Sequence, residues 1–178
     1  QPFVRHISNS AAVLAFPESY LDMVRPGLCL YGVYPDQRMQ KAIPLLPTLS
    51  LKSRVVFFKV VKKGAGVSYD HTWYAPHDTR VITIPIGYGD GYPRSLSNRG
   101  MVLVRGQRCP IIGKVCMDQM MVDISPHGEA YNGDEVVLIG KQGQGAVTVE
   151  DLAALLHTTP HEILVTLNQR IPRIEVRA

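Results

Sequence analysis

Tyr69 closes the stretch Gly66-Val67-Ser68-Tyr69, which follows the run Val55-Val56-Phe57-Phe58-Lys59-Val60-Val61 and a Lys-Lys-Gly-Ala-Gly turn. Gly64 and Gly66 can take positive φ where other residues strain, so the turn lets a strand reverse and carry Tyr69 on its exit. A phenol held there gives or takes a proton if its surroundings lower a pKa that is ordinarily about 10. The competing role is a tyrosine that caps a barrel edge. This stretch alone favours the cap, because loops carry function only when a scaffold positions them.

Three further stretches carry groups that could do chemistry. Gly87-Tyr88-Gly89-Asp90-Gly91-Tyr92-Pro93-Arg94 is glycine-dense, yet it opens no helix and lacks the Gly-Lys-Ser/Thr of a phosphate loop. It reads as a tight loop at a strand end, either with Tyr88 beside a cleft or as a mere turn. Cys116-Met117-Asp118-Gln119-Met120-Met121 puts one carboxylate in an otherwise buried-looking strand, where Asp118 must pair or border a polar site. Cys116 has no neighbouring group to lower its pKa, which argues against a nucleophile. His157 and His161 stand at the spacing of helical metal ligands, but Pro160 starts a new helix between them, so no metal site is expected.

The elements that must position these groups change character along the chain. Phe3–Ile7 reads as a strand, Ala11–Val24 as a helix broken at Pro17, and the apolar Leu28–Tyr31 as a buried strand between Gly27 and Gly32. Strand-helix-strand is the unit of α/β folds, and residues 1–33 cannot close such a sheet alone, so a large N-terminal part is expected to be missing. Residues 34–47, with Pro35, Pro44 and Pro47, read as a linker. Residues 48–178 read as a mainly β domain. Its strands are expected at Leu49–Lys62, Arg80–Gly87, Gly100–Arg105, Cys109–Ile124 and Glu135–Gly140, with glycine-rich turns between them. Two short helices follow. The first starts at Thr148-Val149-Glu150-Asp151 and the second at Thr159-Pro160-His161-Glu162, where Thr caps, Pro sits first inside and Glu reaches back. Ile171–Val176 is expected to return as a closing strand.

Composition bounds the function. With 178 residues, 46% hydrophobic and 19% charged, the chain is an ordinary globular protein, long enough to bury about 70% of its unfolded surface. It has no apolar run long enough for a spanning helix. Cys29, Cys109 and Cys116 are odd in number and match no metal spacing, which points to reduced thiols and a cytoplasmic home. The net charge of +4 is scattered. The second helix offers Glu162, Val165 and Asn168 with only Arg170 near its end, which disfavours a nucleic-acid partner.

Taken together, five stretches resemble the alanine racemases, fold type III enzymes that use pyridoxal 5'-phosphate. They are His6-Ile7-Ser8-Asn9-Ser10-Ala11-Ala12, Met23-Val24-Arg25-Pro26-Gly27-Leu28, Gly66-Val67-Ser68-Tyr69, Ile84–Gly91 and Ile112–Gln119, in the family's order. The resemblance implies the last strands of a (β/α)8 barrel followed by a C-terminal β domain. It also implies two-base interconversion of L- and D-alanine, which supplies D-alanine for peptidoglycan. Tyr69 matches the base that removes the α-proton of the L-enantiomer. The second base is the lysine that binds the cofactor as an imine, and no lysine here sits in its motif, so the chain alone is expected to be inactive. Arg25 matches the residue facing the pyridine nitrogen, and His6 the histidine that orients it. Ser10, with the backbone of Gly27 and Leu28, matches the phosphate cup. Met117 matches a backbone donor to the substrate carboxylate, with Asp118 in support, and Tyr88 a gate over the access channel. Where the family commonly has a tyrosine on the phosphate, alignment across Glu162-Ile163-Leu164 gives His161. The implied assembly is a homodimer in which the tyrosine of one subunit serves the cofactor of the other. Two alternatives stand beside it: a racemase of the same family with a wider range, such as serine, and a non-catalytic β-barrel interaction module.

Overall fold

The computed structural model describes residues 3–36, 38–39, 43–125 and 128–176. They form two compact units that divide after Leu49.

In the first unit, strand β1 (His6–Asn9) runs directly into helix α1 (Ser10–Ala15) and returns as strand β2 (Met23–Arg25), parallel to β1. Asn9 ends the strand and caps the helix, its side-chain oxygen accepting the Ala12 N–H at 3.1 Å. The expected helix through Val24 stops at Ala15. Pro17 cannot donate to the turn before it, and residues 17–19 form only a 3₁₀ turn. Leu28–Tyr31 is also a 3₁₀ turn and not the expected strand. Its start is captured by Ser10, and its end falls at Gly32, which sits at φ 70°. A side chain on Gly32 would meet the Leu46 carbonyl oxygen at 1.9 Å, so only glycine fits. Ile7 and Leu30 are about two-thirds exposed, at 65% and 67%. The unit thus presents apolar surface that the described residues leave uncovered.

The second unit is mainly β: one large antiparallel sheet with few helices. Its strands are β3 (Leu51–Arg54), β4 (Phe57–Val61), β7 (Thr79–Ile84), β8 (Met101–Val104), β9 (Gln107–Ile112), β10 (Met120–Asp123), β11 (Glu135–Gln142) and β12 (Gly145–Val147). The small hairpin β5 (Gly66–Val67) and β6 (Trp73–Tyr74) stands apart from it. The sheet runs β12-β11-β8-β9-β10-β7-β4, and β3 pairs with β11. The expected single strand Leu49–Lys62 is therefore two, because the segment changes partner in its middle. Val55 N–H donates to the Asp134 carbonyl and Val56 N–H to the Thr83 carbonyl. This switch lets one segment pair with both β11 and β7, which closes the sheet on itself and leaves no long open edge. Ile82, Ile84, Leu103, Ile111, Met120 and Leu138 fill the interior and are fully buried.

Two other expectations are corrected. The strand expected over Cys109–Ile124 ends at Ile112 and resumes at Met120, so residues 113–119 form a loop. Gly113, at φ 70°, makes the exit. Residues 171–176 pair with no strand among the described residues, since the sheet they would have closed is already closed by β3 and β4. Helices α2 (Val149–Leu156) and α3 (Pro160–Thr166) follow the sheet. Thr148 and Asp151 cap α2 reciprocally, both bonds at 3.0 Å. At α3, Pro160 takes the first position, but Thr159 makes no side-chain cap and Glu162 bonds to Thr158 instead. Among the described residues, no helix is long and apolar enough to cross a membrane.

Candidate active site

In the first unit, three of the expected cofactor residues meet. The buried Ser10 Oγ accepts the Gly27 N–H at 2.8 Å and the Cys29 N–H at 3.4 Å. Leu28 opens the 3₁₀ turn, and the first N–H groups of a helical turn have no acceptor within it. A hydroxyl and main-chain N–H groups, converging at the start of two turns, form a donor set suited to a phosphate dianion. Arg25 is exposed, and its Nη2 donates to the Ile7 carbonyl at 3.3 Å. His6 is exposed on the same strand as Ile7 and makes no hydrogen bond to Arg25 among the described residues.

In the second unit, Tyr69 opens a 3₁₀ turn (Tyr69–His71) one residue after β5 and is 67% exposed. The turn is strained. Ser68 (φ 65°, ψ −175°), Asp70 (φ 59°) and His71 (φ 45°) all lie in the left-handed region. Such backbone costs on the order of 1–3 kcal/mol per residue and persists only where neighbours over-determine it. Here the 113–119 loop does so. Ser68 Oγ donates to the Lys114 carbonyl at 2.7 Å, and Lys114 Nζ bonds to Asp70. The Lys114 ammonium holds the Asp70 carboxyl below the usual carboxylate range, by a hydrogen bond and then by charge. Asn98 ties the same two segments, with Oδ1 on the Gly113 N–H at 2.6 Å and Nδ2 on Thr72 Oγ1 at 3.1 Å.

Tyr88 opens another 3₁₀ turn, Tyr88–Asp90, and it locks to the far side of the same loop. Tyr88 N–H donates to the Cys116 carbonyl at 3.0 Å and Gly89 N–H to the Met117 carbonyl at 2.7 Å. Ser68, Tyr69, Cys116 and Gln119 share the wall of one open depression. The 113–119 loop, which carries Met117, therefore holds the Tyr69 turn through the side chains of Ser68 and Lys114 and the Tyr88 turn through backbone bonds. Met117 is exposed and its carbonyl is engaged, while its N–H bonds to none of the described residues. Asp118 lies exposed on the loop and not inside a buried strand as its apolar neighbours suggested, so it needs no buried partner.

The structure does not bring His161 to this loop. It is exposed in the first turn of α3, whereas the opposite end of that helix meets the Tyr88 turn. There Asn168 N–H donates to the Asp90 carbonyl at 2.9 Å, and Arg170 Nε lies 3.6 Å from Asp90 Oδ1. Tyr92, near Tyr88 in sequence, is no rival base: complete burial pushes its phenol up. Ser68, Lys114 and Asn98 had no signal of their own in the sequence, since their bonds span 15 to 46 residues. The described residues hold no cluster of three or more metal-ligating side chains.

Residues 48–175 match the family described as Alanine racemase, C-terminal domain, and residues 1–35 match Alanine racemase, N-terminal domain. The chain belongs to the alanine racemase family. Alanine racemase from Halothermothrix orenii is 46% identical over 170 residues, which is 96% of this chain and 45% of that protein. Alanine racemase 2 from Bacillus subtilis is 45% identical over 175 residues, 97% of this chain and 44% of that protein. The chain thus spans about half the length of the alanine racemases it matches. Among solved structures, alanine racemase from Bacillus anthracis with bound L-Ala-P superposes with a TM-score of 0.94 at 37% identity, over 99% of this chain and 46% of that one. Alanine racemase from Bartonella henselae with covalently bound pyridoxal phosphate gives 0.87 at 33% identity, over 99% and 48%.

Proposed function

We propose that the chain is the C-terminal part of an alanine racemase that interconverts L- and D-alanine with pyridoxal 5'-phosphate. The observation that carries this reading is Tyr69 on its strained turn, bonded to the same loop that presents the Met117 N–H. A proton-transfer group and a carboxylate donor are then held at fixed spacing by one piece of backbone, as an α-proton transfer on an amino acid requires.

The donor chemistry of the first unit fits the proposed cofactor: Ser10 Oγ and the N–H groups of Gly27 and Leu28 for its phosphate, Arg25 for its ring nitrogen. When bound, pyridoxal phosphate supplies the electron sink that lets an α-proton leave. Arg25 would present a cationic donor to the ring nitrogen, which disfavours a proton there and limits side reactions. Tyr69 takes the α-proton of L-alanine, or returns one to that face. The Met117 N–H donates to the substrate carboxylate, with Asp118 beside it, and Tyr88 narrows the approach. Proton transfer by a placed group contributes roughly 10²–10⁴-fold.

The second base is a lysine carried outside this chain, so the chain alone does not racemise alanine. In the complete protein, two copies pair, and Tyr69 of one serves the cofactor of the other. The product D-alanine feeds peptidoglycan synthesis in the cytoplasm. The test is a racemisation assay, by optical rotation or a D-amino-acid-coupled reaction, on the complete polypeptide and on this chain, both with added pyridoxal phosphate. Turnover by the complete protein alone is expected. Turnover by this chain would overturn the assignment of the second base, and none by either would overturn the reading.

A further inference from the structure

We infer that Lys114 is a positioning residue for Tyr69, gripping the residue on either side of it with two different groups. The inference rests on the racemase reading for its catalytic meaning. Lys114's main-chain carbonyl accepts the Ser68 hydroxyl at 2.7 Å, one residue before Tyr69. Its ammonium bonds to Asp70, one residue after. No other residue touches both flanks of Tyr69 in this way among the described residues. Between those anchors, Tyr69 has little freedom: Ser68, Asp70 and His71 are all held at positive φ, a backbone that relaxes when its restraints go.

The packing leaves the loop no alternative seat. A Cβ on Gly113 would lie 2.6 Å from Ser68 Cβ and 2.8 Å from the Val67 carbonyl oxygen, so the loop is already at contact distance with the turn. Asn98 closes the far end by bonding both Gly113 and Thr72. The side chain of Lys114 is 25% exposed and that of Asp70 is 70% exposed. An ion pair so open to solvent adds little to overall stability. Its value lies instead in fixing a local geometry, and a misplacement of about 1 Å costs on the order of 10²-fold in rate.

The deciding experiment uses the complete protein and the variants Lys114→Met and Lys114→Arg, with Lys52→Met as a control that removes an exposed Lys–Glu pair elsewhere on the sheet. Enantiomers have equal free energies, so kcat/KM for L- and D-alanine must fall together and turnover alone is uninformative about which base is affected. The α-deuterium isotope effect is not so constrained. In Lys114→Met it should rise for L-alanine, whose proton goes to Tyr69, and stay level or fall for D-alanine. Turnover should drop about tenfold or more. Lys114→Arg should restore both, and Lys52→Met should resemble wild type. Independently of turnover, amide hydrogen exchange over residues 68–72 should quicken in Lys114→Met while β8 and β9 stay protected. Unchanged exchange in the turn, or isotope effects that stay put or shift equally for both enantiomers, overturns the inference. Wild-type protein without turnover overturns the racemase reading instead, and the exchange data alone then decide whether Lys114 holds the turn.

Discussion

The backbone of Gly87 lies so close to the Cys116 carbonyl oxygen that a methyl group on it would sit 2.2 Å away. This approach lets Tyr88 N–H and Gly89 N–H reach the Cys116 and Met117 carbonyls in succession. Gly87→Ala must therefore push the two turns apart. Overpacking of this kind costs about 1–3 kcal/mol. Denaturant unfolding of the complete protein should show that loss, and kcat/KM for alanine should fall at least about tenfold as Met117 and Tyr88 shift.

Strain at Ser68 separates two substitutions that remove the same hydroxyl. Ser68→Ala loses the bond to the Lys114 carbonyl, worth about 1 kcal/mol, and keeps a side chain at φ 65°. Ser68→Gly loses the same bond but relieves the strain. Urea midpoints should place Ser68→Gly above Ser68→Ala, the reverse of the usual order for glycine and alanine.

Ser10 Oγ is the acceptor for Gly27 N–H and belongs to the proposed phosphate cup. Ser10→Ala removes one donor to the phosphate. A hydrogen bond to a charged group is worth about 1.5–3 kcal/mol, so pyridoxal phosphate should bind roughly ten- to a hundredfold more weakly. Titration of the apoprotein by absorbance reads this directly.

How much of this was legible depended on whether the deciding contact was local. The Thr148 cap and the tight Gly87–Gly91 turn follow from residue types a few positions apart. Leu28–Tyr31 does not: a short apolar run fits a strand or a turn equally, and the hydroxyl that captures its start lies at Ser10. Asp118 reads as part of a strand because Cys116, Met117, Met120 and Met121 around it are apolar. Gly113 was the available sign of a break. The bend at Val55 and Val56 left no local trace, since it comes from two different partner strands. Lys114 meets Asp70 across 44 residues, a distance no spacing pattern spans.

Cys109 offers a check on the sheet interior. It is fully buried, and burial first, then the Asp123 charge, pushes its thiol up to about 11. At pH 8 about one molecule in a thousand carries the thiolate, so alkylation should be negligible until the protein unfolds. Because the folded value lies above the ordinary one, this group's contribution to stability is full below about pH 9 and is lost as pH rises towards 11. Mass-spectrometric mapping of iodoacetamide adducts with and without denaturant reads the protection.

The role of Tyr69 is tested most directly by following exchange of the alanine α-proton with D2O in Tyr69→Phe of the complete protein. A phenyl ring keeps the packing but cannot accept a proton. Exchange from L-alanine should fall by about 10²–10⁴-fold while exchange from D-alanine, which uses the other base, persists. Equal exchange from both enantiomers at the wild-type rate would contradict the assignment.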